Sequence, residues 1–183
     1  MKILIVSDTH RRDENLRAVI RKESPFDMMI HLGDTEGSEV YFRDWIQNDA
    51  CEIHVVRGNN DFFSQTEREK EIMIGERRAI LTHGHMYGVS MGTEILADEA
   101  RARDMDIAMY GHTHKPYLEK AEDGLVVLNP GSLSYPRQSG RKPSYMVMEV
   151  DSNGHANYQI CYVEKEEIFL KKFFEKVLTN SFS

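Results

Sequence analysis

The chain has 183 residues, of which 40% are hydrophobic, and its formal net charge is −7. This length and composition suffice for one domain with its own buried core. An acidic chain is poorly suited to wrapping extended nucleic acid or an anionic membrane surface, because both need clustered Lys and Arg. Its 2 Cys suit reduced thiols, and no apolar run approaches the roughly 18 residues of a membrane span, so we predict a cytoplasmic protein.

Short apolar segments alternate with amphipathic ones over the first two thirds of the chain, which is typical of βαβ units around a largely parallel sheet. We predict strands at residues 2–6, 27–32, 52–57 and 106–110, and helices at residues 14–22, 38–47 and 92–103. Two apolar segments flank the turn at Gly75-Glu76, which predicts a β-hairpin over residues 71–82.

Strand-like segments separated by turn residues follow, and they predict a second, mostly antiparallel sheet packed on the first. These segments cover residues 117–121, 125–128, 145–150 and 155–163. An amphipathic helix is predicted at about residues 164–178. Its apolar face either packs on the chain's own sheet or forms a subunit interface. Residues 1–183 are therefore expected to form one domain.

Carboxylate, amide and imidazole side chains follow the predicted strands at intervals of about 25 residues. These residues are Asp8, His10, Asp34, Asn59, His83, His112 and His114. Because side chains beyond the carboxyl ends of parallel strands converge on one crevice, we expect all seven to meet. Seven oxygen and nitrogen ligands with no thiolate among them fit two divalent transition-metal ions that share one carboxylate.

Three glycines, Gly33, Gly58 and Gly111, each precede a proposed ligand, and we expect them to provide the sharp turn after the strand. Taken singly, an Asp after a strand also fits a helix N-cap, and Gly58-Asn59 also fits an ordinary turn. Five groups in register with five strands favour a metal site over these separate explanations.

Five motifs occur in order along the chain: Asp8-x-His10, Gly33-Asp34, Gly58-Asn59-Asn60-Asp61, His83-Gly84-His85 and Gly111-His112-Thr113-His114. Together they resemble the motifs of the calcineurin-like metallophosphoesterases. Within that superfamily, Asn129-Pro130-Gly131-Ser132 followed by Pro136-Arg137 is similar to the small bacterial and archaeal YfcE-type phosphodiesterases. The resemblance implies a four-layered α/β sandwich, in which two mixed β-sheets are flanked by helices.

The resemblance also implies two divalent metal ions, with manganese expected and iron, zinc or nickel as alternatives. One ion would be bound by Asp8, His10, Asp34 and His114, and the other by Asp34, Asn59, His83 and His112, with Asp34 bridging them. The implied activity is hydrolysis of a small phosphodiester by a metal-bridging hydroxide, so no protein nucleophile is needed. Members of the family are often dimeric or tetrameric, so a homodimer or homotetramer is also expected.

The motifs lack the usual proton donor for the leaving oxygen, because many superfamily members have His where this chain has Asn60. An amide cannot act as a general acid near neutral pH. The proton then comes from His85 or from a metal-bound water, unless the substrates have acidic leaving groups. We favour His85, although it also fits a role in orienting the neighbouring ligand His83.

The candidate catalytic residues are therefore His85, Asn59 and Asp34, and the candidate substrate-binding residues are Asn60 and Arg137. Arg137 is a cation suited to a substrate phosphate, although an exposed Arg is more often only solvated. Asp61 is expected to support the ligands. For Phe62 and Phe63, packing in the core is the favoured interpretation over lining the mouth of the pocket.

The main alternative to an enzyme is a protein-binding scaffold, because a eukaryotic retromer subunit is similar in fold but lacks a working set of ligands. In this chain all seven proposed positions hold residues able to bind metal, which favours the enzyme. A phosphomonoesterase or nucleotide pyrophosphatase of the same superfamily would differ only in the pocket wall, and the sequence leaves that alternative open.

Overall fold

The computed structural model describes residues 1–163, and the helix predicted at about residues 164–178 lies outside them. The strands are β1 (Lys2–Val6), β2 (Met28–His31), β3 (Glu52–Val55), β4 (Glu69–Ile74), β5 (Arg77–Thr82), β6 (Ile107–Met109), β7 (Pro116–Lys120), β8 (Val126–Pro130), β9 (Ser144–Val150) and β10 (Ala156–Tyr162). The helices are α1 (Glu14–Glu23), α2 (Phe42–Ile46) and α3 (Glu94–Ala102). Short 3-10 turns at Ser38–Tyr41 and His85–Tyr87 complete the secondary structure of these residues.

The strands form two mixed five-stranded sheets, in the orders β10-β9-β1-β2-β3 and β4-β5-β6-β8-β7. In the first sheet β1, β2 and β3 are parallel, whereas β9 is antiparallel to both β1 and β10. In the second sheet β5, β6 and β8 are parallel, and β4 and β7 pair antiparallel at the two edges.

The predicted division of strands between sheets is wrong. The early strands do not share one parallel sheet, and the later strands do not form a sheet of their own, since β7 and β8 extend the second sheet and β9 and β10 the first. The apolar strand β9 pairs with the edge of β1 that β2 leaves free. This pairing covers a strand edge that would otherwise be open, and it accounts for the presence of β9 in the first sheet and not beside β8 in the second.

Alternating side chains of each sheet face two different cores, as the period of a β-strand requires. In β1, Ile3 and Ile5 join the core between the two sheets, whereas Leu4 and Val6 pack with buried residues of α1. On the opposite side of the molecule, Ile80 of β5 packs in a cluster with buried residues of α3. The resulting order of helices, sheet, sheet and helix confirms the predicted four-layered α/β sandwich.

Two local predictions need correction. The helix predicted at residues 38–47 is a 3-10 turn followed by the five-residue α2. Phe62 and Phe63 do not pack in the core, because 72% and 95% of their surfaces are exposed. The side chain of the preceding Asp61 is buried and hydrogen-bonded to neighbouring loops, so the chain turns outward directly after it.

Both cysteines are free thiols, with Cys51 buried and Cys161 half-buried. Within residues 1–163, no helix has the length and the apolar character needed to cross a bilayer.

Candidate metal centre

The seven proposed ligands lie on loops that follow β1, β2, β3, β5 and β6, and these loops meet at one end of the molecule. The sequence predicted a site at the edge of one sheet. Because the strands belong to both sheets, the site instead lies across the ends of two sheets. Backbone hydrogen bonds join the first two loops: Asp8 N–H donates to Gly33 O at 3.1 Å, and His10 N–H donates to Asp34 O at 2.9 Å.

The first group of candidate ligands consists of Asp8, His10, Asp34 and His114. One oxygen or nitrogen atom from each of these side chains lies within 4.8 Å of the others. His114 Nε2 is 3.1 Å from Asp8 Oδ1, and His10 Nε2 is 3.6 Å from Asp34 Oδ2. Imidazole nitrogens and carboxylate oxygens therefore face a common point, as in a transition-metal site.

The second group adjoins the first and is more open to solvent. His83 Nε2 and His112 Nδ1 lie 3.1 Å and 2.9 Å from the amide oxygen of Asn59. His83 Nε2 also lies 3.5 Å from Asp34 Oδ2, so Asp34 contacts both groups. Asn59 is exposed and His112 is half-buried, which leaves this side of the site accessible to a ligand.

A buried carboxylate oxygen tests whether these residues fit a metal ion. Asp8 Oδ1 is buried and receives no hydrogen bond in suitable geometry from residues 1–163, although the Nε2 atoms of His114, His10 and His83 lie 3.1 Å, 4.0 Å and 4.0 Å away. A buried acceptor without a donor is costly, and a cation among these atoms would satisfy it. The donor set of oxygen and nitrogen atoms therefore fits a divalent metal ion.

The charges at the centre of the site depend on one another. Burial raises the pKa of Asp34, but its hydrogen bond with His83 and those from Asn60 outweigh burial and hold this pKa well below its usual range. Burial lowers the pKa of His83, but Asp34 and Asp8 outweigh it and raise this pKa to about 9. Without metal, His83 is therefore cationic at neutral pH, and a metal ion bound at its Nε2 would have to displace a proton.

In three of the histidines, the ring nitrogen Nδ1 points away from the centre and has a fixed partner. The pairs are His10 Nδ1 with Glu36 Oε1 at 2.7 Å, His83 Nδ1 with Leu32 O at 2.7 Å, and His114 Nδ1 with Tyr135 O at 2.8 Å. The two carbonyl partners require an N–H on Nδ1, which leaves Nε2 of His83 and His114 free to bind metal. Sequence analysis missed Glu36, because a Glu two residues after a ligand forms no distinctive motif.

Asp61 holds the loop of Asn59 against the loop of Asp34. Its carboxylate accepts hydrogen bonds from the backbone N–H groups of Gly58 at 2.7 Å, Asp34 at 2.8 Å and Glu36 at 2.6 Å, and from the Thr35 hydroxyl at 3.2 Å. These bonds join loops from two neighbouring strands. Asp61 thus has the supporting position expected from its place in the sequence, and it does not face the ligand atoms.

The turns that present the ligands have an uncommon backbone conformation. Positive φ angles occur at Asp8, His10, Asp34, His112 and His114 (55°, 46°, 58°, 67° and 59°). Residues other than Gly adopt this region rarely and at an energetic cost, and such residues concentrate at functional sites. Of the three glycines expected to supply sharp turns, Gly33 does so with a φ of 97°, whereas Gly58 and Gly111 have no positive φ.

Two packed mixed sheets with carboxylate and imidazole side chains gathered at their joint end define an α/β protein with a candidate metal-binding site. Residues 1–153 match the calcineurin-like phosphoesterase superfamily domain, and the chain belongs to this family. It is similar to the probable metallophosphoesterase YsnB of Bacillus subtilis, with 31% identity over 155 residues that cover 84% of this chain and 86% of the relative.

Solved structures agree with this family. A predicted phosphoesterase from Streptococcus pneumoniae has a TM-score of 0.73 and 27% identity, with 88% of both chains covered. Vps29 from Entamoeba histolytica in complex with zinc has a TM-score of 0.67 and 25% identity, with 88% of this chain and 99% of that chain covered. The family and fold predicted from the motifs are thereby confirmed, and the chain is a phosphoesterase-family protein with a candidate metal-binding site.

Proposed function

We propose that the protein hydrolyses small phosphodiesters at a centre of two divalent metal ions. The observation that carries this proposal is the pair of adjoining ligand groups that share Asp34. Manganese is the proposed metal, with iron, zinc or nickel as alternatives. When bound, two such ions activate a water molecule and neutralise charge on the phosphoryl group.

The charges of the ligands support attraction of an anionic substrate. Asp8 and Asp34 are the two acidic residues among the seven proposed ligands, and the amide of Asn59 is neutral. Histidines bind metal as neutral imidazoles. Two divalent ions would therefore exceed the charge of the two carboxylates, and the excess positive charge would draw a phosphoryl group into the site.

A cleft of about 820 Å³ adjoins the first ligand group, and His10, His114, Asn60, Arg137 and Arg141 are among the residues that line it. Arg137 N–H donates to His114 O at 3.0 Å, which fixes its loop relative to a ligand. We assign Arg137 to a substrate phosphate oxygen. Asn60 lines the same cleft, and one N–H of its side-chain amide donates to Asp34 Oδ2 at 2.7 Å, which leaves the second N–H for the proposed substrate contact.

The first test is metal loading followed by hydrolysis of matched esters. We expect the protein to bind about two equivalents of manganese and to hydrolyse bis(p-nitrophenyl) phosphate faster than p-nitrophenyl phosphate. Removal of metal with a chelator should abolish turnover, and added manganese should restore it. Metal content is measured by plasma mass spectrometry and turnover by release of p-nitrophenolate.

A protein-binding scaffold of the same fold is the second candidate, and similarity to Vps29 favours it. Because that neighbour was solved with zinc, metal binding alone does not separate the two functions. Turnover of neither ester by the metal-loaded protein would favour the scaffold, and faster turnover of the monoester would favour a phosphomonoesterase. A cytoplasmic location and assembly as a homodimer or homotetramer stay predictions.

We further propose that His85 protonates the leaving oxygen. Its ring lies 5.4 Å from that of His83 and 6.1 Å from that of His112, and its buried Nδ1 has no hydrogen-bond partner within the described residues. We expect His85→Ala to lower kcat for a diester with an alkyl leaving group by roughly a hundredfold, and to change p-nitrophenyl release much less.

Comparison of the two leaving groups in kinetic assays separates the roles considered for His85. Burial, and then the nearby His83, lower the pKa of His85, which reduces its protonated fraction at neutral pH. An equal loss for both leaving groups would assign His85 to orienting a ligand. Unchanged turnover of the alkyl ester would remove it from the reaction altogether.

A further inference from the structure

Two adjacent phenylalanines lie at the surface close to the candidate metal centre. Phe62 and Phe63 follow the proposed ligand Asn59 by three and four residues, and they expose 72% and 95% of their surfaces. With Val40, they line a cavity of about 520 Å³. Apolar surface grouped in this way frequently marks a binding site.

The loop that carries the two rings is well anchored, so their exposure does not reflect a loose segment. Arg57 Nε donates to Asp61 O at 3.1 Å, and Arg57 Nη2 donates to Phe62 O at 3.3 Å. Ser64 N–H donates to Asp61 O at 3.3 Å, and the Asp61 side chain is itself bonded to three backbone N–H groups. The rings are thus held outside the core by the backbone on both sides.

This cavity is continuous with the metal centre. Asn60 and Glu36 line both the phenylalanine cavity and the cleft beside the ligands. Asn60 donates from its backbone and its side chain to the two oxygens of Asp34, at 2.8 Å and 2.7 Å. A group bound against the phenyl rings would therefore be separated from the shared proposed ligand Asp34 only by Asn60.

The remaining walls of the cavity are polar, because Arg11, Glu36, Glu39 and Ser64 also line it. Phenyl rings favour stacking against flat rings, and polar walls can form hydrogen bonds with the edge of such a ring. A purely aliphatic group would cover the charged ends of Arg11, Glu36 and Glu39 without offering them a hydrogen bond. The combination therefore fits a planar heteroaromatic group better than an alkyl chain.

We propose that the phenylalanine cavity binds a nucleobase, which makes nucleoside phosphodiesters the substrate class of the neighbouring centre. The assignment of the substrate rests on the proposed phosphodiesterase function, whereas binding of the base by the cavity does not require turnover. The phosphoryl group lies at the metal ligands, and the base lies across Asn60 against Phe62 and Phe63.

Equilibrium binding to the manganese-loaded full chain tests the cavity directly. Adenosine 5′-monophosphate, ribose 5-phosphate and inorganic phosphate are titrated by calorimetry. We expect the nucleotide to bind at least about tenfold more tightly than ribose 5-phosphate, because base stacking on aromatic side chains typically contributes that much. The double variant Phe62→Ala/Phe63→Ala should lose this difference and keep its affinity for the two other ligands.

Met73→Ala is the matched control, because Met73 on β4 is 55% exposed and does not line the cavity. It should leave all three affinities unchanged. Equal affinities of the wild-type protein for the nucleotide and ribose 5-phosphate would overturn the proposal. The proposal would also be overturned if the double variant bound the nucleotide normally but changed from dimer to monomer in sedimentation. The two rings would then form a contact with a second copy of the chain.

Kinetic assays distinguish an error in the proposal that the cavity binds a nucleobase from an error in the proposed phosphodiesterase function. If methyl and thymidine p-nitrophenyl phosphodiesters are hydrolysed with equal kcat/KM, the centre is an enzyme but the cavity does not bind a base. If the nucleotide binds through Phe62 and Phe63 and no diester is hydrolysed, the cavity binds a nucleobase as proposed and the proposed phosphodiesterase function is wrong.

Discussion

Replacement of Asp34 by Asn is expected to abolish phosphodiester hydrolysis, with kcat reduced by roughly a thousandfold or more. Asp34 is the proposed ligand that contacts both groups, through His10 at 3.6 Å and His83 at 3.5 Å. An amide is nearly isosteric with the carboxylate, but it lacks the negative charge that the proposed two-metal centre requires. The Asp34→Asn protein should therefore bind fewer metal equivalents as well as lose activity.

The effect of Asp34→Asn on folding has to be measured separately from its effect on metal. Asp34 accepts two hydrogen bonds from Asn60 and raises the pKa of His83 when no metal is bound, so the variant is also expected to unfold more easily. Circular dichroism and metal analysis at equal protein concentration distinguish the two effects. Asp44→Asn, at an exposed position on α2, is the control and should match the wild-type protein. A folded Asp34→Asn variant with wild-type metal content and turnover would contradict the assignment.

Most strands could be predicted from the sequence because their signal is local. β1 has the predicted bounds, and the hairpin of β4 and β5 turns at Gly75-Glu76 as expected. The assignment of strands to sheets could not be predicted in this way. Alternation of apolar side chains shows that a strand has a buried face, but it does not show that Ile3 pairs with Met148.

The candidate site could be predicted in part for the same reason. Each proposed ligand follows a strand, so its place is visible in the local pattern. The partners that hold the ligands, such as Glu36, are brought to them only by folding. Phe62 and Phe63 were placed in the core because hydropathy favours burial, and their exposure is a departure from that local rule beside the candidate site.

The glycines illustrate a second kind of error, in which the residue was recognised but its physical reason was not. Gly33 provides a turn with a positive φ, as expected. Gly111 instead permits close approach, because a Cβ built on it would lie 2.1 Å from Ser7 Oγ. Sequence alone does not separate these two uses of Gly, since both place the residue directly before a ligand.

Gly58→Ala is expected to have the second-largest effect, because Gly58 lies against the shared ligand. A Cβ at residue 58 would lie 2.1 Å from Asp34 Oδ1 and 2.4 Å from Asp34 N. The second of these atoms is backbone, so no change of side-chain rotamer relieves the overlap. The loops that carry Asp34 and Asn59 must then separate, and a displacement of about 1 Å in such a site typically costs about a hundredfold in rate.

We therefore expect Gly58→Ala to lower kcat/KM for a diester by about a hundredfold and to weaken metal binding, while the two-sheet core stays folded. Gly124→Ala provides the control, because Gly124 has a φ of 93° but, beyond its two chain neighbours, no atom of residues 1–163 lies within 4 Å of the added Cβ. This substitution introduces backbone strain without overlap, so it should cost about 1 kcal/mol of stability and leave turnover unchanged. Equal turnover by Gly58→Ala and Gly124→Ala would mean that close approach at residue 58 does not position the shared ligand.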